Sequence, residues 1–425
     1  MNKSLLLASL FSFVFTYYRY YTTKFENKEF TYKTWEFIEE DTKIQSNDFE
    51  ILSNNIDDVC LLITDGSLTI SQGVRISKRV LVSNVDNYLK DKHNFDKSDD
   101  YKYGLTSCIV AIGEKTRVTI DGAIIEIDCP FSNAFVALNG AKIILKNSII
   151  ITKTQYSKGI MALNKGMVEI LTNTNVTTIG DFSPCMEVNK NGFISIQDSF
   201  FYTKGKESPL MNNLGNGKME MDSSKGDAEN SQILVIGGNN HVQLFYCELN
   251  CTGNIINKNN FNDGGIVLFN NDESNNGIAH LEIYESSLAI NNKNDNISMF
   301  SCYNIEAEIN LIDTNIKIVN IFMKADKTEN STIETKIKLE VEVKKIEGKI
   351  IAKNNTEIVL TGDEDLYDIE NEGNVQFEFD PILGISNPKN QDSLSSEHKL
   401  KYLPILNCLI ILMILFVLVV IIKKI

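Results

Sequence analysis

Ala137-Leu-Asn-Gly-Ala-Lys-Ile-Ile-Leu145, Leu163-Asn-Lys-Gly-Met-Val-Glu-Ile-Leu171 and Asn189-Lys-Asn-Gly-Phe-Ile-Ser-Ile196 are three copies of one pattern. Gly140, Gly166 and Gly192 fall 26 residues apart, each directly after Asn or Lys, and each separates two short apolar runs. Self-similarity at a fixed period of roughly 20–50 residues marks a repeat architecture. A glycine between two apolar runs suits a tight corner, because without a Cβ it accepts positive φ. Asp65-Gly66 reads as the same corner in an earlier unit.

Two further columns keep the phase. Asp121-Gly122, Asn147-Ser148, Asn173-Thr174, Asp198-Ser199, Glu285-Ser286 and Asp313-Thr314 each lie just beyond an apolar strand, at intervals that begin 26, 26 and 25. Cys108, Ala134, Gly159, Pro184 and Pro209 follow one another at 26, 25, 25 and 25 residues. Apolar strands come after the first four, at Ile109–Ile112, Phe135–Leu138, Ile160–Leu163 and Cys185–Val188. Each unit therefore holds two or three short strands joined by corners, and no unit can bury its apolar face alone. Stacking rungs at about 4.7–4.9 Å buries that face and pairs the backbone groups. The predicted fold is all-β, a right-handed parallel β-helix of about ten rungs. A leucine-rich-repeat horseshoe is disfavoured because L-x-x-L-x-L-x-x-N does not recur. A propeller would need longer blades of antiparallel strands.

Strand residues alternate between faces, so direction follows from phase. Ile124, Ile150, Val176, Phe201, Leu249, Leu288 and Ile316 are assigned to the interior. Their neighbours then face outward: Ile149 and Ile151, Asn175 and Thr177, Phe200 and Tyr202, Glu248 and Asn250. Phe200 and Tyr202, with Ile149 and Ile151, are the candidate ligand-binding residues. Outward aromatic side chains stack on sugar rings or anchor a protein partner.

The ends carry different signals. Lys3 followed by the apolar run 4–18 makes residues 1–22 a signal peptide or anchor. Residues 23–57 lack the repeat and read as an N-terminal cap. The repeat domain is placed at 58–377, with polar insertions at 84–103, 254–263 and 270–276. Residues 378–402, with Pro381 and Pro388, read as a stalk. Leu403–Ile422 is twenty residues without a charge, long enough to cross about 30 Å of hydrocarbon, and residues 423–425 form a short basic tail. Membrane lipid is thus an expected partner, with the repeat domain outside the cell. Without export, the same helix would be a tail anchor and the domain would face the cytosol.

Composition narrows the function classes. A net charge of −15 and the lack of a basic patch argue against nucleic acid. The eight cysteines include no CxxC pair and no Cys–His ligand spacing, so they read as core thiols and neither metal nor cofactor is predicted. A pectate-lyase mechanism needs a basic residue beside clustered aspartates, yet Arg19, Arg75, Arg79 and Arg117 all precede the later rungs. His93, His241, His280 and His398 lack the Gly-His-Gly setting of polygalacturonase-like sites. Asp57-Asp58 and Asp99-Asp100 are pairs in charged contexts that read as solvated loops. No catalytic set is predicted, and a polysaccharide lyase or hydrolase stands as the rival class beside a structural spacer.

Tyr103-Gly-Leu-Thr-Ser, Asn133-Ala-Phe-Val-Ala-Leu-Asn-Gly, Gly180-Asp-Phe-Ser-Pro-Cys-Met, Glu207-Ser-Pro-Leu-Met and Ser231-Gln-Ile occur in that order. Over residues 58–365 the chain resembles adhesin-like right-handed β-helix proteins of microbial surfaces, which share the pectate-lyase-like fold. The resemblance implies extracellular display and the binding of a polysaccharide or protein ligand.

Overall fold

The computed structural model describes residues 19–378, apart from 26–27, 45–49, 54–57, 80–102, 253–263, 271–276, 293–296, 318–320, 328–330, 343–345, 355 and 363. The segments 1–18 and 379–425 lie outside the described residues, as do the three polar insertions apart from Tyr103 and Asn270. The membrane helix expected at 403–422 is among them. No helix of the described residues is long and apolar enough to cross a membrane.

The strands form three long sheets, of 14, 13 and 10 strands, here named A, B and C. One rung runs through Phe135–Leu138 in sheet A, Lys142–Lys146 in B and Ile149–Thr152 in C. The next repeats the circuit through Ile160–Leu163, Met167–Leu171 and Asn175–Thr178. The pairing is parallel and unshifted, with Phe135 opposite Ile160, Lys142 opposite Met167, and Ile149 opposite Asn175. This is the architecture of a parallel β-helix. Helical structure among the described residues is limited to a 3-10 turn at Glu364–Leu366.

The stack is longer than the repeat alone indicated. Sheet B has 13 strands among the described residues, of which 11 lie within 58–365, where about ten rungs were expected. Part of the gain comes from residues 23–57. Lys28–Ile38, Thr42–Ile44 and Glu50–Ser53 pair in parallel with Val59–Thr64, Ser67–Ile70 and Arg75–Arg79, forming a complete rung. Arg19–Phe25 turns back antiparallel on Lys28–Ile38 and ends sheet A on that side. At the other end, sheets A and B continue to Tyr367–Glu372 and Val375–Glu378 after sheet C stops at Asn315–Lys317.

The interior is one continuous cluster, in which Ile150, Val176, Phe201, Leu249 and Leu288 are buried as assigned. Ile316 is only half-buried, on the last strand of sheet C. Ile124 is misassigned: it pairs with the outward Ile149, whereas Ile125 pairs with Ile150 and Ile76 and is fully buried. The cause is a one-residue slip at the corner, because Asp121 lies opposite Lys146. Gly122 therefore takes the place of Asn147, and the two share positive φ, 77° and 47°. With a side-chain period of two, such a slip exchanges the faces.

The glycine corners work differently from their expected reason. Gly140 does adopt φ 81°, but beside Gly166 and Gly192 the left-handed residues are Asn164, Lys165, Lys190 and Asn191. A Cβ on Gly166 would lie 2.1 Å from the carbonyl oxygen of Ala137, and one on Gly192 would lie 2.3 Å from that of Ala162. Close approach of the preceding rung, rather than φ, excludes a side chain there.

Buried hydroxyls hold the corner between sheets B and C. Ser148 Oγ accepts from Ala123 N at 3.3 Å and donates to Lys146 O at 2.6 Å. Ser224 accepts likewise from Ser199 N at 3.1 Å, and Ser286 from Cys247 N at 3.0 Å. A second ladder closes the turn back to sheet A, where Ser157 N donates to Ser183 Oγ and Ser183 N to Ser208 Oγ, both at 2.9 Å. Leaving such N–H groups unmet would cost about 1–3 kcal/mol each. The seven cysteines described are buried, and none is in a disulfide.

Register is directly testable. Ile125→Ala should lower stability by about 2–5 kcal/mol and Ile124→Ala by less than about 1 kcal/mol, read from urea unfolding midpoints. Equal losses would refute the observed phase. Val176→Asp, which buries an unpaired carboxylate, should abolish the cooperative transition of the surrounding rungs.

Candidate functional site

Sheet C strands in the middle of the stack are four residues long, so each rung offers two outward side chains. Pairing sets them in two parallel columns. Ile149, Asn175, Phe200 and Lys225 form one, and Ile151, Thr177, Tyr202 and Asp227 form the other. All four candidate residues thus lie on one flank, where Phe200 is 49% exposed and Ile149 41%. Ile151 and Tyr202 are half-buried. Together they line a shallow cavity of about 430 Å³ with Asp227, Glu248 and Asn250.

Carboxylates give this surface its polarity. The Tyr202 hydroxyl donates to the Glu229 carboxylate. That bond, with burial second, pushes the phenol up to about 12. Burial first and Glu229 second raise the Asp227 carboxyl above its ordinary value. Lys225 meets Glu248 at 2.6 Å, an exposed pair of small energetic weight. An aliphatic and aromatic row beside two hydrogen-bonding carboxylates is suited to grip a ligand with an apolar face and a polar edge.

Several of the groups weighed for catalysis have structural partners, while His93 and His398 lie outside the described residues. Arg79 and Lys153 both reach Glu126, and Arg117 donates to the carbonyls of Glu114 and Thr116. His241 meets Glu282, and His280 meets Glu308, each at 3.2 Å. Asp58 is no solvated loop residue: it is fully buried and bonded to Lys33 at 2.9 Å. Asp99-Asp100 lies outside the described residues. Among the described residues, no group of three or more His, Cys, Asp or Glu is placed to hold a metal ion.

A second cleft, not evident from the repeat pattern, lies on the outer side of sheet A. The first rungs are covered there by a second small core that includes Tyr32, Leu62, Tyr103, Val110, Val136 and Met161. The chain at Tyr103–Leu105 lies directly on the sheet, since a Cβ on Gly104 would sit 2.9 Å from Val136 Cγ2. Where this cover ends, a cavity of about 520 Å³ opens over Glu187, Asn189, Asn212 and Leu214. Tyr156 and Phe182 form part of its wall. A phased column announces that wall, because Phe131, Tyr156 and Phe182 each precede a serine of the second hydroxyl ladder.

Comparison with protein-family models, with curated proteins and with solved structures returns no match for this chain.

The raised Asp227 carboxyl fixes a pH dependence. Its folded form holds the proton more tightly than the unfolded form, so stability falls as pH rises above the ordinary aspartate value of 3.8. Asp227→Asn should therefore raise the thermal midpoint at pH 7 and leave it unchanged at pH 3, as followed by circular dichroism. In ultraviolet titration, Glu229→Gln should bring Tyr202 ionisation down from about 12 toward 10.

Proposed function

We propose that this protein is an adhesin-like surface protein, its right-handed β-helix held outside the cell by the apolar segment 403–422. It recognises a polysaccharide or protein through the sheet C flank. The observation that carries the reading is the exposed row Ile149, Asn175 and Phe200 beside Tyr202 and Asp227, in consecutive rungs around one cavity. Large apolar groups contiguous on a surface mark interaction sites, and a scaffold of paired strands holds them rigid in advance. Aromatic anchors of this kind supply most of the affinity in an interface.

The full chain in detergent micelles, applied to glycan arrays and to cells, should bind a defined ligand. The Phe200→Ala/Tyr202→Ala double variant should lose at least about tenfold in affinity, or 1.4 kcal/mol. Unchanged binding by the variant would remove this flank as the site. Placement is checked separately by protease treatment of intact cells, which should release fragments of the repeat domain. Protection until the membrane is permeabilised would favour the tail-anchored arrangement instead.

A further inference from the structure

We infer that the cleft on the outer side of sheet A is a second binding site, built for a neutral oligosaccharide. Its wall is an aromatic column. Phe131 and Tyr156 stack at 4.9 Å and 10°, and Tyr156 and Phe182 at 4.8 Å and 5°. All three hold positive φ, at 61°, 57° and 55°. Bulky residues seldom adopt that conformation, and such strain persists where surrounding structure enforces it. Phe182 is the last ring of the column, since Glu207 occupies the next rung in the same left-handed conformation. Phe182 is 37% exposed and lines the cleft, so an aromatic surface faces the ligand space.

The floor supplies hydrogen bonding without excess charge. Lys158 and Glu187 form an ion pair although they are only 5% and 6% exposed. Asn212 Nδ2 donates to the other Glu187 oxygen at 2.9 Å, which fixes the carboxylate in place. Lys190 Nζ meets the Tyr103 hydroxyl at 3.1 Å at the edge of the cover. The lining includes two lysines, Lys158 and Lys190, and two glutamates, Glu187 and Glu207, so its formal charges cancel. The amides of Asn189 and Asn212 add neutral donors and acceptors. A polyanion or a polycation gains no net field here. A neutral polyol with a flat C–H face gains both the ring and the hydrogen bonds. The volume of about 520 Å³ lies within the range of small-molecule sites. The sheet C flank differs, with Asp227, Glu229 and Glu248 against Lys225.

Calorimetric titration of the full chain in detergent with cellohexaose, mannohexaose, N-acetylchitohexaose and hexagalacturonate tests the assignment. At least one neutral hexamer should bind, and hexagalacturonate should bind more weakly. Phe182→Ala should weaken the neutral sugar by at least about tenfold, while Phe182→Tyr, which keeps the ring, should stay within about threefold. The retained ring in the tyrosine variant separates lost contact from lost fold. Phe200→Ala/Tyr202→Ala should leave this binding unchanged, so this site and the sheet C flank stand or fall separately. The cleft is ruled out if no neutral hexamer binds the parent, if Phe182→Ala binds like the parent, or if hexagalacturonate binds best. Loss in the Phe200/Tyr202 variant with retention in Phe182→Ala would move the sugar to sheet C and exclude the cleft equally.

Discussion

Every rung is hydrogen-bonded, without shift through most of the stack, to the equivalent residues of the rung before it, and the rest of the molecule follows from that pairing. In-register parallel strands put each side chain about 4.8 Å from its counterpart one period away. Like then meets like. Isoleucine over isoleucine builds the interior, serine over serine closes the corners, and aromatic rings at a left-handed position stack within 5 Å. Charge repeats less readily, since like charges so placed repel, although Lys142 does lie over Arg117 and Asp368 over Glu347. Elsewhere the outer columns mix signs: Glu126 lies between Arg79 and Lys153, Lys142 reaches Glu169, and Lys225 reaches Glu248. These exposed pairs contribute little stability singly. Their effect is to make stacking tolerable for charged residues.

The same pairing divides the surface into strips with different uses. Sheet C is narrow, so its flank exposes two columns, and an aromatic in either column is presented with little freedom. Sheet A in the early rungs is apolar on both sides, as Phe135–Leu138 and Ile160–Leu163 show by burial along their whole length. That second apolar side requires a cover, which the chain around Tyr103 and the strand Lys28–Ile38 provide. The outward positions become polar at Glu187, Asn189 and Asn212, just past the cover. The cleft is the geometric result of a cover that stops before the sheet does.

Much of this was legible because a column of equivalent residues is a strong periodic signal. Three phased columns placed the strands following Cys108, Ala134 and Gly159 at their observed limits. The outward placement of Ile149, Ile151, Phe200 and Tyr202 followed from alternation alone. What failed did so for identifiable reasons. Ile124 was turned inward because Asp121 and Asn147 resemble each other chemically, although Gly122 shares the backbone conformation of Asn147. The rung made by residues 28–53 was missed because it lacks the Asn-Gly corner, yet strand pairing needs only compatible length and hydrogen bonds. Asp58 looked solvated because its partner Lys33 lies in the neighbouring rung, 25 residues earlier, where no local pattern points to it. The column Phe131, Tyr156 and Phe182 was readable at the same period, but aromatic residues are not ordinarily expected at a left-handed corner.

What the sequence displays and what it conceals have one physical origin. Inward and corner positions are constrained by every neighbouring rung, so their chemistry repeats and the fold can be read from the repetition. Outward positions are not constrained in this way, which leaves them free to differ from rung to rung. Recognition depends on just that difference: Phe200 stands where the adjacent rungs carry Asn175 and Lys225, and Glu187 stands where they carry Met161 and Asn212. A binding residue on a parallel β-helix is thus a break in an outward column, and it shows only after the register is known to the residue. The slip at Ile124 illustrates the requirement, because one misplaced residue exchanges an outward row for an inward one. On this architecture, the search for function begins with the columns that fail to repeat.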